Sequence, residues 1–166
     1  MDDILSSYKK TLDTIHIQQG ECYISDKPEL ATTILGSCIA VCVFDRKAKI
    51  SGLCHALLPT APINTKEPFK YVDESVSYLF DRFFRLGAVK KDLEVKVFGG
   101  GDVIGFSHKK DYLSIGYQNS TMTRSILDDL KITPQVWNVG GENGRKIIMV
   151  MHTGEIFSSN IKKRID

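Results

Sequence analysis

Two apolar runs separated by a short polar break stand out in the first third of the chain. Ile39 to Phe44 is rich in Val, Ile and Phe, Lys49 to Leu57 is a second strand-like run, and Asp45-Arg46-Lys47-Ala48 between them reads as an Asp-initiated turn. The pattern predicts an antiparallel hairpin. With Asp45 opposite Ala48, counting outward pairs Val43 with Ile50, Val41 with Gly52, Ile39 with Cys54 and Cys38 with His55. Directly opposed residues share a face, with Cβ atoms about 4.5–5.5 Å apart. This register sets a thiol against an imidazole, provided the strands do not slip by one residue.

Elsewhere the same periodicities mark out the remaining elements. The lead-in up to about Gln19 reads as polar or helical, Thr14 to Gln18 and Glu21 to Ser25 as short strands around Gly20, and Ala31 to Leu35 as a further strand. Pro59 to Pro68 is a loop. From Tyr71 to Leu86 the residues Val72, Val76, Leu79, Phe80, Phe83 and Phe84 recur at helical spacing, with Gly87 as the stop. Leu93 to Phe98 alternates as a strand and enters Gly99-Gly100-Gly101, after which Asp102 to Lys110 reads as loop. A second helix is predicted from about Ser120 to Leu130, capped by Asn119 or Ser120. Strands near Gln135 to Val139 and Lys146 to His152 follow, and Thr153-Gly154-Glu155 turns the chain into a last strand, Ile156 to Asn160. No repeat or linker interrupts this order, so the expectation is one mixed sheet-and-helix domain.

Composition narrows the function classes. A chain of 166 residues with 42% apolar and 25% charged residues suits one domain with a real core, and a formal charge of +2 implies neither a nucleic-acid face nor a membrane-surface face. The tail Lys162-Lys163-Arg164 is a solvated basic end. No run has the length of a membrane span, and Met1-Asp2-Asp3-Ile4-Leu5 is acidic where a secretory signal is basic, so a cytoplasmic protein is expected. Cys22, Cys38, Cys42 and Cys54 then read as reduced thiols.

Candidate chemistry centres on Cys38. Gly36-Ser37 before it forces a bend, lets backbone approach a ligand and leaves N–H groups to point at a carbonyl oxygen. His55 is the base within reach, and a hydroxyl of Thr32 or Thr33, brought back by the bend at Gly36, is the group that would orient the imidazole. The four residues Cys38, Cys42, Cys54 and His55 resemble a zinc set, but the pairing puts Cys54 on the opposite face from the other three. Cys38 and Cys42 are too far apart along an extended strand for a disulfide. The clusters Gly99-Gly100-Gly101 and Gly140-Gly141 lack nucleotide-loop spacing and read as the rim of a cleft, with Arg145 as a docking charge. His16, His108 and His152 read as structural or exposed.

Several segments fall together in order: Gly20-Glu21, Thr32, Leu35-Gly36-Ser37-Cys38, His55 with Leu58-Pro59, Tyr71-Val72-Asp73, Val97-Phe98-Gly99-Gly100, Gly116 with Asn119, and Gly140-Gly141 with Gly144-Arg145-Lys146. In this combination the chain resembles the CheD family of chemoreceptor glutamine deamidases. The resemblance implies a single-domain three-layer α/β/β sandwich, similar to the catalytic fold of cytotoxic necrotizing factor toxins, over residues 1–166 with a variable lead-in at 1–19. It implies Cys38 as nucleophile, His55 as base and Thr32 as third catalytic residue, while Gly36 and Ser37 are placed at the substrate by the bend they form. It implies no metal or organic cofactor, chemoreceptors as substrate and a CheC-type phosphatase as partner. Methylester hydrolysis is chemically open to the same thiol. The alternative is an adaptor that docks on receptors or on that phosphatase, with catalysis secondary. Gly101 stands where the family commonly has Ala after its Phe-Gly-Gly.

Overall fold

Strand β4 (Ile39–Asp45) is buried at every position, which requires cover on both of its faces. The computed structural model, which describes residues 2–103 and 113–161, supplies that cover. β4 lies in a five-stranded sheet with β2 (Glu21–Ser25), β5 (Ile50–Ala56), β6 (Leu93–Gly99) and β7 (Val136–Val139), in the order β2-β5-β4-β6-β7. A second sheet holds β1 (Asp13–His16), β3 (Glu29–Leu35), β8 (Gly144–Val150) and β9 (Ile156–Ile161), in the order β1-β3-β8-β9.

Alternation along the strands sorts the core into layers. Ile39, Val41, Val43, Cys54 and Ala56 face helices α2 (Val72–Arg85) and α3 (Ile115–Asp129), where they meet Val76, Leu79, Phe80, Phe83 and Leu127. Burying each of these large side chains contributes about 1.5–3 kcal/mol. Gly52 lets α2 sit close, since a Cβ there would lie 2.8 Å from the Phe83 ring. On the other face Ala40, Cys42, Phe44 and Leu53 meet Ala31, Leu35, Ile147 and Met149 of the second sheet. The predicted α/β/β sandwich is therefore present. The lead-in adds to it: α1 (Asp2–Thr11) packs Leu5 and Tyr8 on Leu30, Ile148 and Val150, covering the outer face of the second sheet.

The hairpin forms with a different register from the one counted outward from Ala48. Asp45 pairs with Ile50, Val43 with Gly52, Val41 with Cys54, and Ala40, not Cys38, with His55. The loop is two residues longer than the count assumed. Lys49 takes a left-handed conformation at φ 59°, its N–H bonds Asp45 O at 2.8 Å, and Asp45 Oδ1 accepts from Lys47 N and Ala48 N at 2.9 and 3.0 Å. A slip of two leaves every side chain on its predicted face, because the side-chain period of a strand is two.

The second long helix also begins earlier than its sequence pattern suggested. Ser114, not Asn119 or Ser120, is the cap, its hydroxyl accepting from Tyr117 N at 3.1 Å. Gly116 disguised this first turn, since glycine disfavours helix interiors. It is needed there because a Cβ would come within 2.4 Å of Gly100 O. Most of the predicted Asp102 to Lys110 loop, His108 and the 162–166 tail lie outside the described residues.

Candidate active site

Cys38 occupies the bend that leads into β4 and is buried, with 7% of its surface exposed. Three holds from two separate segments fix the bend. Gly100 N donates to Cys38 O at 2.7 Å and Gly101 N to Gly36 O at 2.8 Å, so the triple glycine backs directly onto the main chain of the Cys38 bend. Gly99, at φ +111°, admits no side chain, because a Cβ would fall 2.1 Å from Cys38 O. The third hold is Asn119, fully buried in α3, whose Nδ2 donates to Ser37 O and to Leu57 O at 2.9 Å each. One side chain thus ties the approach to β4 to the exit from β5. In a trans peptide the C=O and N–H point opposite ways. Gripping Ser37 O therefore aims the N–H of Cys38 away from α3, and that N–H interacts with the cysteine's own sulfur, favouring the thiolate.

His55, on β5, is 2% exposed and faces the second sheet. Its Nδ1 lies 2.8 Å from Thr33 Oγ1, and the same hydroxyl donates to Ile17 O at 2.8 Å. A hydroxyl has one proton, and here Ile17 O takes it, so Thr33 accepts from Nδ1–H. The proton sits on Nδ1, and Nε2 carries the free lone pair. Among the described residues that buried nitrogen has no hydrogen-bond partner.

Cys38 and His55 share the face of the five-stranded sheet that looks into the sandwich, in a diagonal relation two residues off direct opposition. Diagonal neighbours lie roughly 7–8 Å apart, within reach of long side chains. Burial pushes the Cys38 thiol above its ordinary 9.0 and, as the largest effect, pulls the His55 imidazole below 6.5, with the Ile17 carbonyl and Glu21 opposing the latter. Both partners are therefore neutral near pH 7.

Thr32 stands differently from Thr33. Successive strand residues point to opposite faces, and Ala31 and Leu35 face inward, while Leu30 faces α1. Thr32 accordingly sends its hydroxyl to Ile147 O at 2.9 Å, so the side-chain contact with the imidazole belongs to Thr33. Thr33 reaches His55 across the sandwich, with no help from the bend at Gly36. Thr32 contributes through its carbonyl, which accepts from Ile17 N at 2.9 Å, and it lines a cleft of about 530 Å³ with Thr33, His55, Gln18, Gln19 and Lys146.

Two further expectations change or hold on geometry. Arg145 is no docking charge: it is 7% exposed, and its guanidinium bonds Gly99 O at 2.6 Å, Asn138 Oδ1 at 3.1 Å and Gly140 O, clamping the two glycine loops together. A fork of donors on two loop carbonyls is a job suited to Arg. Cys54 does lie on the opposite face from Cys38, Cys42 and His55. Among the described residues no helix is long and apolar enough to cross a membrane.

A family model described as CheD chemotactic sensory transduction matches residues 57–160, a span that begins two residues after His55 and leaves out both Cys38 and His55. The probable chemoreceptor glutamine deamidase CheD 2 of Geobacter sulfurreducens is 33% identical over 152 residues, covering 92% of this chain and 92% of that protein. This chain belongs to the CheD family. The probable chemoreceptor glutamine deamidase CheD of Maridesulfovibrio salexigens is 31% identical over 91% of this chain and 94% of its own, and that of Nitratidesulfovibrio vulgaris 33% identical over 86% and 75%. Among solved structures, the hypothetical protein YfiH of Bacillus licheniformis aligns with a TM-score of 0.47 at 13% identity, over 73% of this chain and 49% of that one. Within this CheD-family chain, the sequence pattern misplaced Asn119 as a cap and left Ile17 unassigned. A polar Asn inside an amphipathic helix, on the line of Gly116 and Thr123, was the available signal for the first.

Proposed function

We propose that this protein hydrolyses glutamine side chains of chemoreceptors to glutamate, releasing ammonia, with Cys38 as nucleophile and His55 as general base. The observation that carries the reading is the state of His55: its Nδ1 proton is committed to Thr33, and its Nε2, buried and unpartnered among the described residues, lies on the face that bears the Cys38 thiol. The relatives, probable chemoreceptor glutamine deamidases, suggest the substrate class.

The chemistry follows from the neutral pair. His55 Nε2 accepts the Cys38 proton while Sγ attacks the carboxamide carbon, and the carbonyl electrons move onto oxygen. The N–H of Cys38, set by Asn119 through Ser37, donates to that oxyanion, with Gly36 and Ser37 forming the adjacent wall. His55 returns its proton to the amide nitrogen, which leaves as ammonia, since an amide nitrogen departs poorly unless protonated. Water deprotonated by the same imidazole then cleaves the thioester. Thr32, third in the family resemblance, acts by anchoring Ile17, whose carbonyl takes the Thr33 proton. No cofactor enters this scheme, and a CheC-type phosphatase is the partner that the resemblance suggests.

Incubation of a chemoreceptor cytoplasmic domain with the enzyme, followed by intact-mass analysis, tests the proposal. Deamidation adds about one dalton per site and leaves the chain whole, whereas Cys38→Ala leaves the receptor mass unchanged. Receptor cleavage points instead to a peptide hydrolase. An unmodified receptor across a range of receptors, with signalling retained by Cys38→Ala, points to the adaptor.

A further inference from the structure

The loop from Ile17 to Gly20 crosses the mouth of the site and is pinned at both ends to strands that carry it. Ile17 N donates to Thr32 O at 2.9 Å and Gly20 N to His55 O at 2.7 Å, while Gln18 N closes the turn on Glu21 Oε2 at 2.7 Å. Gly20 makes the turn at φ +80° against Lys70, whose Cγ would lie 2.9 Å from an added Cβ. The backbone of Gln19 is thereby held beside the catalytic pair. Its side chain reaches to the nucleophile, with Nε2 donating to Cys38 Sγ at 3.9 Å.

The Gln19 carboxamide thus comes from a separate segment to the sulfur of the residue whose main-chain N–H the bend sets. In the tetrahedral adduct the oxyanion sits on the carbon bonded to that sulfur, so donors grouped around Sγ are close to where the negative charge develops. Effective donors lie about 2.7–3.1 Å from that oxygen. Rotation about the Gln19 side-chain torsions takes Nε2 from the sulfur to the new anion without moving the pinned loop.

We infer that Gln19 is a catalytic residue of the deamidation, its Nε2–H completing the oxyanion site with the Cys38 N–H. The inference rests on the deamidase reading above. Gln19 gains and loses no proton in the step: the Sγ–C bond forms as the carbonyl pair moves to oxygen, the C–N bond breaks as that pair returns, and the proton for ammonia comes from His55.

Gln19→Ala and Gln19→Glu, assayed on the chemoreceptor domain together with the rate of Cys38 alkylation by iodoacetamide, provide the test. The expected result is a fall in kcat of about a hundred- to a thousandfold for both variants, with KM within twofold and Cys38 still alkylated, which reports a folded site and an accessible sulfur. Gln19→Glu keeps the size but offers no donor at neutral pH, so it should not rescue. A rise in both kcat and alkylation on Gln19→Ala overturns the inference in favour of a lid. So does an unchanged kcat. Peptide mapping that finds Gln19 itself deamidated in the wild type and intact in Cys38→Ala also overturns it, because this carboxamide is then a substrate. A wild type inactive on every receptor defeats the deamidase reading and the inference together, whereas an active wild type matched by Gln19→Ala defeats the inference alone.

Discussion

Thr33 and His55 meet across the two sheets, hydroxyl to imidazole, at 2.8 Å. The contact fixes which ring nitrogen carries the proton, because the Thr33 proton is already given to Ile17 O. Replacing Thr33 with Val keeps the shape and removes the hydroxyl, leaving Nδ1–H and a buried carbonyl short of a partner. Stability should fall by about 1–3 kcal/mol, read by urea denaturation, and kcat by at least tenfold. Thr33→Ser should restore most of both. Thr32→Val, which loses only its bond to Ile147 O, should cost less activity, and the reverse ranking would put the orienting role on Thr32.

Asn119 should matter more to rate than a residue outside the cleft ordinarily would. Asn119→Leu strands the carbonyls of Ser37 and Leu57, each at a cost of about 1–3 kcal/mol, and frees the peptide that carries the Cys38 N–H. The expected outcome is a fall in kcat with little change in KM, at a temperature where circular dichroism reports a folded protein. Equal losses in kcat and in folded fraction would reduce Asn119 to a packing role.

The pH dependence follows from burial. The folded His55 imidazole titrates below 6.5, so the unfolded chain takes up this proton first as pH falls, and stability drops as pH passes down through about 6.5, levelling once the folded ring is protonated. The proposed chemistry needs the neutral ring. The acid limb of kcat/KM should lie below 6.5, and the alkaline limb, set by the raised Cys38 thiol, above 9.0. An alkaline limb below 9.0, set by the imidazolium, would instead indicate a thiolate–imidazolium pair.

Arg145→Lys should behave almost as a deletion. A single ammonium cannot span the carbonyls of Gly99 and Gly140 as the guanidinium does. Both Arg145→Lys and Arg145→Met should lower the thermal midpoint and loosen the glycine loop behind Cys38, seen as faster amide exchange at Gly100 and Gly101.

Local pattern made the hairpin, the main helix and the facing of Cys38 and His55 readable, since alternation in β4 and β5 survives a slip of two residues. The slip itself was hidden in Lys49, a residue with no compositional mark of a left-handed turn. The choice between Thr32 and Thr33 depended on which face of β3 meets the other sheet, a fact of tertiary packing that neighbouring threonines cannot declare. Arg145 looked like a surface charge because nothing in Gly144-Arg145-Lys146 shows that two loop carbonyls wait for it. Ile17 acts through a main-chain oxygen, which its side chain does not advertise.

The most direct test is capture of the covalent intermediate. Rapid acid quenching of enzyme mixed with chemoreceptor, followed by mass analysis of the Cys38 peptide, should reveal a hydroxylamine-sensitive thioester to a receptor glutamine, absent from Cys38→Ala, which should also leave the receptor unmodified. A receptor that gains its dalton at an undiminished rate with Cys38→Ala, and a wild-type Cys38 that never carries an adduct, would contradict the account.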